Sequence, residues 1–194
     1  MRGLIAVLLL LCVAGCDVPR DWSAWWNAPL IAPETSDRPV ETPVVNLPRA
    51  LREWNWGGGS CVHASNVMVL RWCNQLELAQ WWRKTFSGGE SFNGLTSKLQ
   101  AAGVQYYATH EGDVNVLDHC TSQRRGAVIF YYPNHSVMLV HIDQQKAILL
   151  DNNRIESYIE IPRETFVRNW RHYGGVAVVP LVGAPATPLP WIDE

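Results

Sequence analysis

Hydrophobic positions change their spacing near residue 127, which divides the folded part of the chain into two halves. Before this point apolar residues mostly recur every three or four positions, the spacing of one helix face. After it they form short runs of β-branched and aromatic residues between turn-forming residues. The predicted helices begin at 61 (running past 73) and cover 76–86, 95–102, 113–121 and 164–171; the predicted strands cover 104–109, 127–132, 135–143, 146–151, 155–161 and 176–179. Helices followed by an antiparallel sheet predict an α+β fold.

The two ends of the chain lack this periodicity and are rich in proline. Such segments are typical of extended linkers rather than of packed domains. We therefore expect four parts: a signal peptide over 1–15, a Pro-rich tether over 16–47, a folded domain over 48–181 and an irregular tail over 182–194.

The N-terminus resembles the signal of a bacterial lipoprotein. A short basic start precedes the apolar run 4–13, which is too short to span a bilayer comfortably. The small residues Val-Ala-Gly then stand directly before Cys16, as in the lipobox that signal peptidase cleaves. We expect lipidation of Cys16 and attachment to a membrane of the bacterial cell envelope. An ordinary secretory signal or an uncleaved anchor is the alternative.

The composition mainly excludes classes of partner and cofactor. The 194 residues are 47% apolar and 18% charged with a net charge of -2, as in an ordinary globular protein. The charge is evenly spread and contains no basic tract, so no nucleic-acid partner is expected. No pair of cysteines or histidines has the spacing of metal ligands, so neither a metal nor another cofactor is expected. We expect a monomer.

Three cysteines, Cys61, Cys73 and Cys120, remain once the signal is removed and Cys16 is lipidated. An odd number in an oxidising compartment leaves one thiol unpaired. If one helix carries Cys61 and Cys73, they stand about 18 Å apart and cannot form a bond. This favours a disulfide between Cys73 and Cys120. A bond between Cys61 and Cys120 and three reduced thiols are the alternatives.

The candidate nucleophile is Cys61, which follows three glycines and Ser60 at the start of a predicted helix. Unpaired N–H groups and the positive end of the helix dipole favour a thiolate at this position. The glycines also allow a substrate to approach the backbone closely. The alternative is a small buried cysteine after an ordinary loop.

A thiolate nucleophile needs an imidazole and usually a third group that orients the ring. His135 opens a predicted strand, and His141 shares its face but is better explained as a buried core histidine. His63 lies on a different side of the Cys61 helix. The other histidines show no partner signal; they are His110, His119 and His172.

The third group is expected where the next strand ends. A hairpin turn at Gln144-Gln145 places residues near 135 beside residues 151–154. Asp151 can there accept a hydrogen bond from His135 and fix its tautomer. Asn152 is an alternative third residue, and a plain turn is the structural alternative.

The order of these residues resembles the papain-like cysteine peptidases, and within them the branch that contains the bacteriocin leader-processing, or double-glycine, peptidases. The similarity covers roughly residues 50–180. It depends on the separations of 74 residues between Cys61 and His135 and 16 between His135 and Asp151, and on a late Phe-x-x-x-Trp helix followed by Gly-Gly and a strand. Gly-Ser-Cys at 59–61 is a further similarity.

The resemblance implies a membrane-anchored hydrolase that cleaves peptide or amide bonds through Cys61, His135 and Asp151. It also implies that Asn55, six residues before the cysteine where the family has Gln, completes the oxyanion hole with the Cys61 N–H. Asn is one methylene shorter than Gln, and the family's Gly-Pro after the cysteine is absent. A non-catalytic peptide-binding lipoprotein, or a transglutaminase or amidase, is the alternative function.

Overall fold

The computed structural model of the protein describes residues 47–183. The predicted signal peptide, the lipidation of Cys16 and nearly all of the tether and tail lie outside these residues. Within them, no helix has both the length and the apolar character that crossing a bilayer would require.

Five α-helices and six strands form the described part of the chain, after a short 3-10 helix at Arg49–Leu51. The helices are α1 (Cys61–Trp72), α2 (Leu76–Thr85), α3 (Phe92–Ala101), α4 (Val114–Ser122) and α5 (Arg163–His172). The strands are β1 (Tyr106–Thr109), β2 (Ala127–Tyr132), β3 (His135–Ile142), β4 (Lys146–Asp151), β5 (Arg154–Pro162) and β6 (Ala177–Pro180).

The strands form one sheet in the order β1-β6-β2-β3-β4-β5, and every neighbouring pair is antiparallel. Alternate residues of each strand point to opposite faces, so the sheet separates two hydrophobic cores. One core joins the sheet to α1, α2 and α3, and the other joins it to α4 and α5. The α+β prediction is confirmed, and helices cover both faces of the sheet.

Helix α1 is the centre of the first core. Eleven of its twelve residues are buried, and Arg71 is the exception. It packs against α2 on one side and against β2 and β3 on the other. The helix ends at Trp72, and Asn74 follows in the left-handed conformation at φ 57°. The first residue of this buried helix is Cys61, so the core fixes the direction in which the helix presents its N-terminus.

Candidate active site

A left-handed glycine segment leads into α1. Gly57, Gly58 and Gly59 have φ values of 92°, 60° and 80°, which only glycine adopts without strain. The Ser60 hydroxyl closes the turn, since it donates to the Gly57 carbonyl at 2.8 Å and accepts from the Gly88 N–H at 2.9 Å. The loop is thereby fixed to the segment that follows α2.

Cys61 lies at the first position of α1 with only 4% of its surface exposed. Its Sγ is 3.5 Å from the Gly59 carbonyl oxygen. The thiol also lies next to the His135 imidazole, whose pKa it helps to raise. The structure therefore brings the predicted nucleophile and the predicted base into contact, although they are 74 residues apart.

His135 begins β3 after Asn134, which adopts a left-handed φ of 55°. Its Nε2 lies 2.9 Å from Asp151 Oδ1, and the ring is also adjacent to the Cys61 thiol. The ring also stacks on Tyr132 at 6.1 Å between centroids. The carboxylate of Asp151 and the ring of Tyr132 together orient the imidazole.

The imidazolium form of His135 is stabilised by its two neighbours. Burial opposes the charged form and is the largest single influence. The hydrogen bonds and the charges of Asp151 and Cys61 together exceed it and raise the pKa of His135 to about 9. The arrangement therefore favours a protonated ring beside the sulfur at neutral pH.

Asp151 ends β4 and is 3% exposed. Its Oδ1 accepts from the ring of His135 and also from the Asn153 N–H at 2.8 Å. The same oxygen thus holds the turn between β4 and β5 and the histidine ring. Of the two residues that the sequence left open as the ring partner, the structure places Asp151 in that position.

Asn152 points away from the ring into the protein. Its Nδ2 lies 3.1 Å from the Cys61 carbonyl oxygen, 2.9 Å from Ser65 Oγ and 2.7 Å from the Ser136 carbonyl oxygen. Sequence reasoning did not anticipate these contacts. The alternation of side chains along a strand could have indicated them, because the residue next to one that faces the site points to the opposite side.

Asn55 lies next to the turn that Asp151 begins. Its N–H donates to the Asn152 carbonyl at 2.8 Å, its Nδ2 donates to Asn153 Oδ1 at 3.2 Å, and its Oδ1 accepts from the Gly57 N–H at 3.3 Å. One Nδ2 hydrogen remains for another acceptor. The oxyanion role of Asn55 stays a prediction.

Two other histidines have separate environments. His141 is only partly buried and belongs to neither core, contrary to the expectation of a core histidine; its Nε2 lies 3.2 Å from Asp143 Oδ2 near the far end of β3. His63 is buried, accepts from Trp82 Nε1 at 3.2 Å and lies 3.8 Å from Glu90. Burial, only partly opposed by Glu90, lowers the pKa of His63 to about 4, so this ring is neutral at physiological pH.

The expected disulfide between Cys73 and Cys120 is not present, and the cysteines of residues 47–183 are all free thiols. Arg125 engages both sulfurs instead: its carbonyl accepts from the Cys120 thiol, and its Nη1 lies 3.8 Å from Cys73 Sγ. Burial raises the pKa of both thiols. They are therefore poor nucleophiles, whereas Cys61 is unbridged and adjacent to an imidazole.

No group of three or more His, Cys, Asp or Glu side chains within residues 47–183 is arranged to hold a metal ion. What the described residues do offer is a thiol beside an imidazole that is hydrogen-bonded to a carboxylate. This set of groups can carry out nucleophilic acyl transfer.

No protein-family model matches the sequence, and no curated protein matches it either. Among solved structures, the chain is similar to a putative C39-like peptidase from Bacillus anthracis, with 13% identity, a TM-score of 0.52 and coverage of 71% of this chain and 98% of that one. It is also similar to a double glycine motif protease from an AMS/PCAT transporter, solved in complex with the leader peptide; the identity is 20%, the TM-score 0.46 and the coverage 66% and 89%. The chain thus has the α+β fold of the C39-like peptidases, which is papain-like.

Proposed function

We propose that the protein is a cysteine hydrolase that cleaves peptide or amide bonds. The observation that carries the proposal is that the Cys61 thiol lies beside the His135 imidazole, which in turn is hydrogen-bonded to Asp151. Its support is specific, because these groups come from α1, β3 and the end of β4 and meet only through the tertiary fold.

In the proposed mechanism Cys61 attacks the substrate carbonyl carbon as a thiolate. The Cys61 N–H, with the remaining Nδ2 hydrogen of Asn55, donates to the developing oxyanion. His135 then gives its proton to the leaving amine, and a thioester to Cys61 remains. Water, deprotonated by His135, attacks the thioester, releases the acid and restores the thiolate. Asp151 holds the imidazole in one tautomer throughout.

We further propose that the enzyme is attached to a membrane of the bacterial cell envelope through lipidated Cys16. The support is the sequence alone: a basic start, a short apolar run and small residues directly before a cysteine. Metabolic labelling with an alkyne fatty acid tests it. Label should appear in the wild-type protein and be lost in Cys16→Ala, and an unlabelled wild-type protein would contradict the anchor.

Cleavage of a peptide library tests the hydrolase. The wild-type protein should cleave members of the library, and Cys61→Ala should leave no cleavage above background. The matched control is His141→Ala, which removes a histidine of the same strand that pairs with Asp143 rather than with Cys61. Equal cleavage by Cys61→Ala and the wild type would disprove the assignment of the nucleophile.

A non-catalytic peptide-binding function is the second candidate, and the engagement of Asn55 favours it. Its Nδ2 already donates to Asn153, and each oxyanion donor is typically worth about 10²–10³ in rate. Library peptides bound equally by wild type and Cys61→Ala, with no cleavage by either, would support this candidate.

A further inference from the structure

The side chain of Asn152 links the two elements that carry the proposed nucleophile and base. The residue is fully buried at the turn after β4. Its Nδ2 group lies within hydrogen-bond distance of the carbonyl oxygens of Cys61 in α1 and Ser136 in β3, at 3.1 and 2.7 Å. Ser136 directly follows His135, so the amide joins the backbone of the nucleophile to the backbone beside the base.

The acceptors fix the orientation of this amide. Carbonyl oxygens can only accept hydrogen bonds, so the NH₂ group, and not the oxygen, must face them. The Ser65 hydroxyl, four residues along α1 from Cys61, strengthens the link because it donates to the Ser136 carbonyl at 3.3 Å and lies 2.9 Å from Asn152 Nδ2. Helix α1 and strand β3 are therefore connected both at Cys61 and one helical turn later at Ser65.

The main chain of the same residue holds a third segment. The Asn152 carbonyl accepts from the Asn55 N–H at 2.8 Å, which fixes the stretch that leads into the glycine loop. Its neighbour Asp151 holds the ring of His135. One turn thus contacts every segment that supplies a proposed site residue.

We infer that Asn152 is a positioning residue that sets the distance between the Cys61 sulfur and the His135 imidazole. This inference rests on the proposed function. Asn152 does not reach the substrate, and it acts by holding α1 and β3 in register. A misplacement of about 1 Å can reduce the rate of an enzyme by about 10²-fold, so kcat should fall by this order in Asn152→Ala while KM changes little.

The experiment measures the rate of Cys61 alkylation by iodoacetamide between pH 5 and 10, with each labelled cysteine identified by mass spectrometry. In the wild type the imidazolium beside the sulfur should make Cys61 label faster than the buried Cys73 and Cys120 near pH 6. In Asn152→Ala the rate at pH 6 should fall at least tenfold because the imidazolium is displaced from the sulfur, while the rate near pH 10, where the alkaline solvent deprotonates thiols without its help, stays within twofold. A pH-independent loss would instead mean blocked access and would overturn the inference.

Two controls separate positioning from loss of stability. Leu117→Ala removes a fully buried side chain of α4 on the opposite face of the sheet, and it should lower the midpoint of unfolding without changing the pH profile of Cys61. Labelling of the buried thiols Cys73 and Cys120 reports unfolding directly. If these two thiols become labelled in Asn152→Ala, that variant has lost stability and Ser65→Ala is measured instead, because it removes one hydroxyl link and leaves the Asn152 amide in place. The rate of Cys61 labelling at pH 6 should then fall about threefold in Ser65→Ala.

The outcomes distinguish this inference from the proposed function. If Asn152→Ala keeps the wild-type pH profile of Cys61 labelling and the wild-type enzyme is active, the positioning role of Asn152 is wrong and the proposed function stands. A wild-type Cys61 with the profile of an ordinary thiol overturns the proposed nucleophile. In that case an NMR titration of His135 tests the positioning role of Asn152. A titration midpoint unchanged by Asn152→Ala excludes this role, and a midpoint that moves toward 6.5 supports it.

Discussion

The substitution Asp151→Asn isolates the charge that acts on His135. Asparagine has nearly the volume of aspartate, and its carbonyl oxygen can still accept from the ring and from the Asn153 N–H, which the carboxylate does at 2.9 and 2.8 Å. The hydrogen-bonded geometry is therefore retained and the negative charge is lost. Any change in the titration of His135 then reports electrostatics rather than packing.

The structure sets the size of the expected effect. The pKa of His135 is raised from 6.5 to about 9, which corresponds to about 3 kcal/mol in favour of the imidazolium. This is the net effect after the opposing cost of burial. An adjacent carboxylate typically contributes 1–3 pH units, and the ring is only 15% exposed, so solvent screens the charge weakly. We expect the midpoint to fall by about 1–3 pH units in Asp151→Asn.

The assay is an NMR titration of the histidine ring protons between pH 5 and 10. The high-pH limb of kcat/KM should move down by the same amount, since less of the enzyme holds the protonated ring. Asp143→Asn is the matched control, because Asp143 pairs with His141 near the other end of β3 at 3.2 Å and should leave the His135 midpoint unchanged. A His135 midpoint that stays near 9 in Asp151→Asn would refute the electrostatic explanation.

Four further predictions concern stability. Burial lowers the pKa of His63 to about 4, so between pH 6.5 and 4 the unfolded chain binds a proton that the folded chain does not. The free energy of unfolding should therefore fall by about 3 kcal/mol as the pH drops over this range. Urea unfolding of His63→Asn should lack this loss, and an equal loss in the variant would contradict the prediction. Gly58→Ala should cost about 1–2 kcal/mol, from the left-handed backbone alone, since no atom lies within 4 Å of its added Cβ. Gly175→Ala should cost more, because its Cβ would lie 2.4 Å from Gly112; equal melting temperatures for the two variants would contradict this. Phe166→Ala, at a fully buried position where α5 packs against the sheet, should cost about 3–5 kcal/mol by calorimetry, and a loss below 1 kcal/mol would place this side chain outside the core.

The sequence was most informative where local chemistry decides the structure. Helix α1 begins at Cys61 as predicted, directly after the glycine loop, but it ends at Trp72 rather than past Cys73, because Asn74 adopts the left-handed conformation. Helix α4 begins after Asp113, whose side chain accepts from the Asn115 N–H at 3.0 Å as a cap does. Helix α3 instead begins at Phe92, three residues before the prediction, because Ser91 provides a cap that the apolar spacing does not reveal.

The contact of His135 with Asp151 followed from hairpin register and residue type. The contacts of Asn152 did not, because they join residues that lie up to 91 positions apart and depend on how α1 packs against β3. The disulfide prediction failed for a related reason. Counting cysteines could not show that Arg125 occupies the space around Cys73 and Cys120.

The burial of α1 on nearly every side limits how the protein can diversify. A side chain close to the sulfur along this helix also fills the interior, so most replacements there would impair folding before they altered selectivity. New binding properties are therefore expected at exposed positions, such as the indoles of Trp54 and Trp81. Libraries for directed evolution should be concentrated at such positions and should leave the helix unchanged.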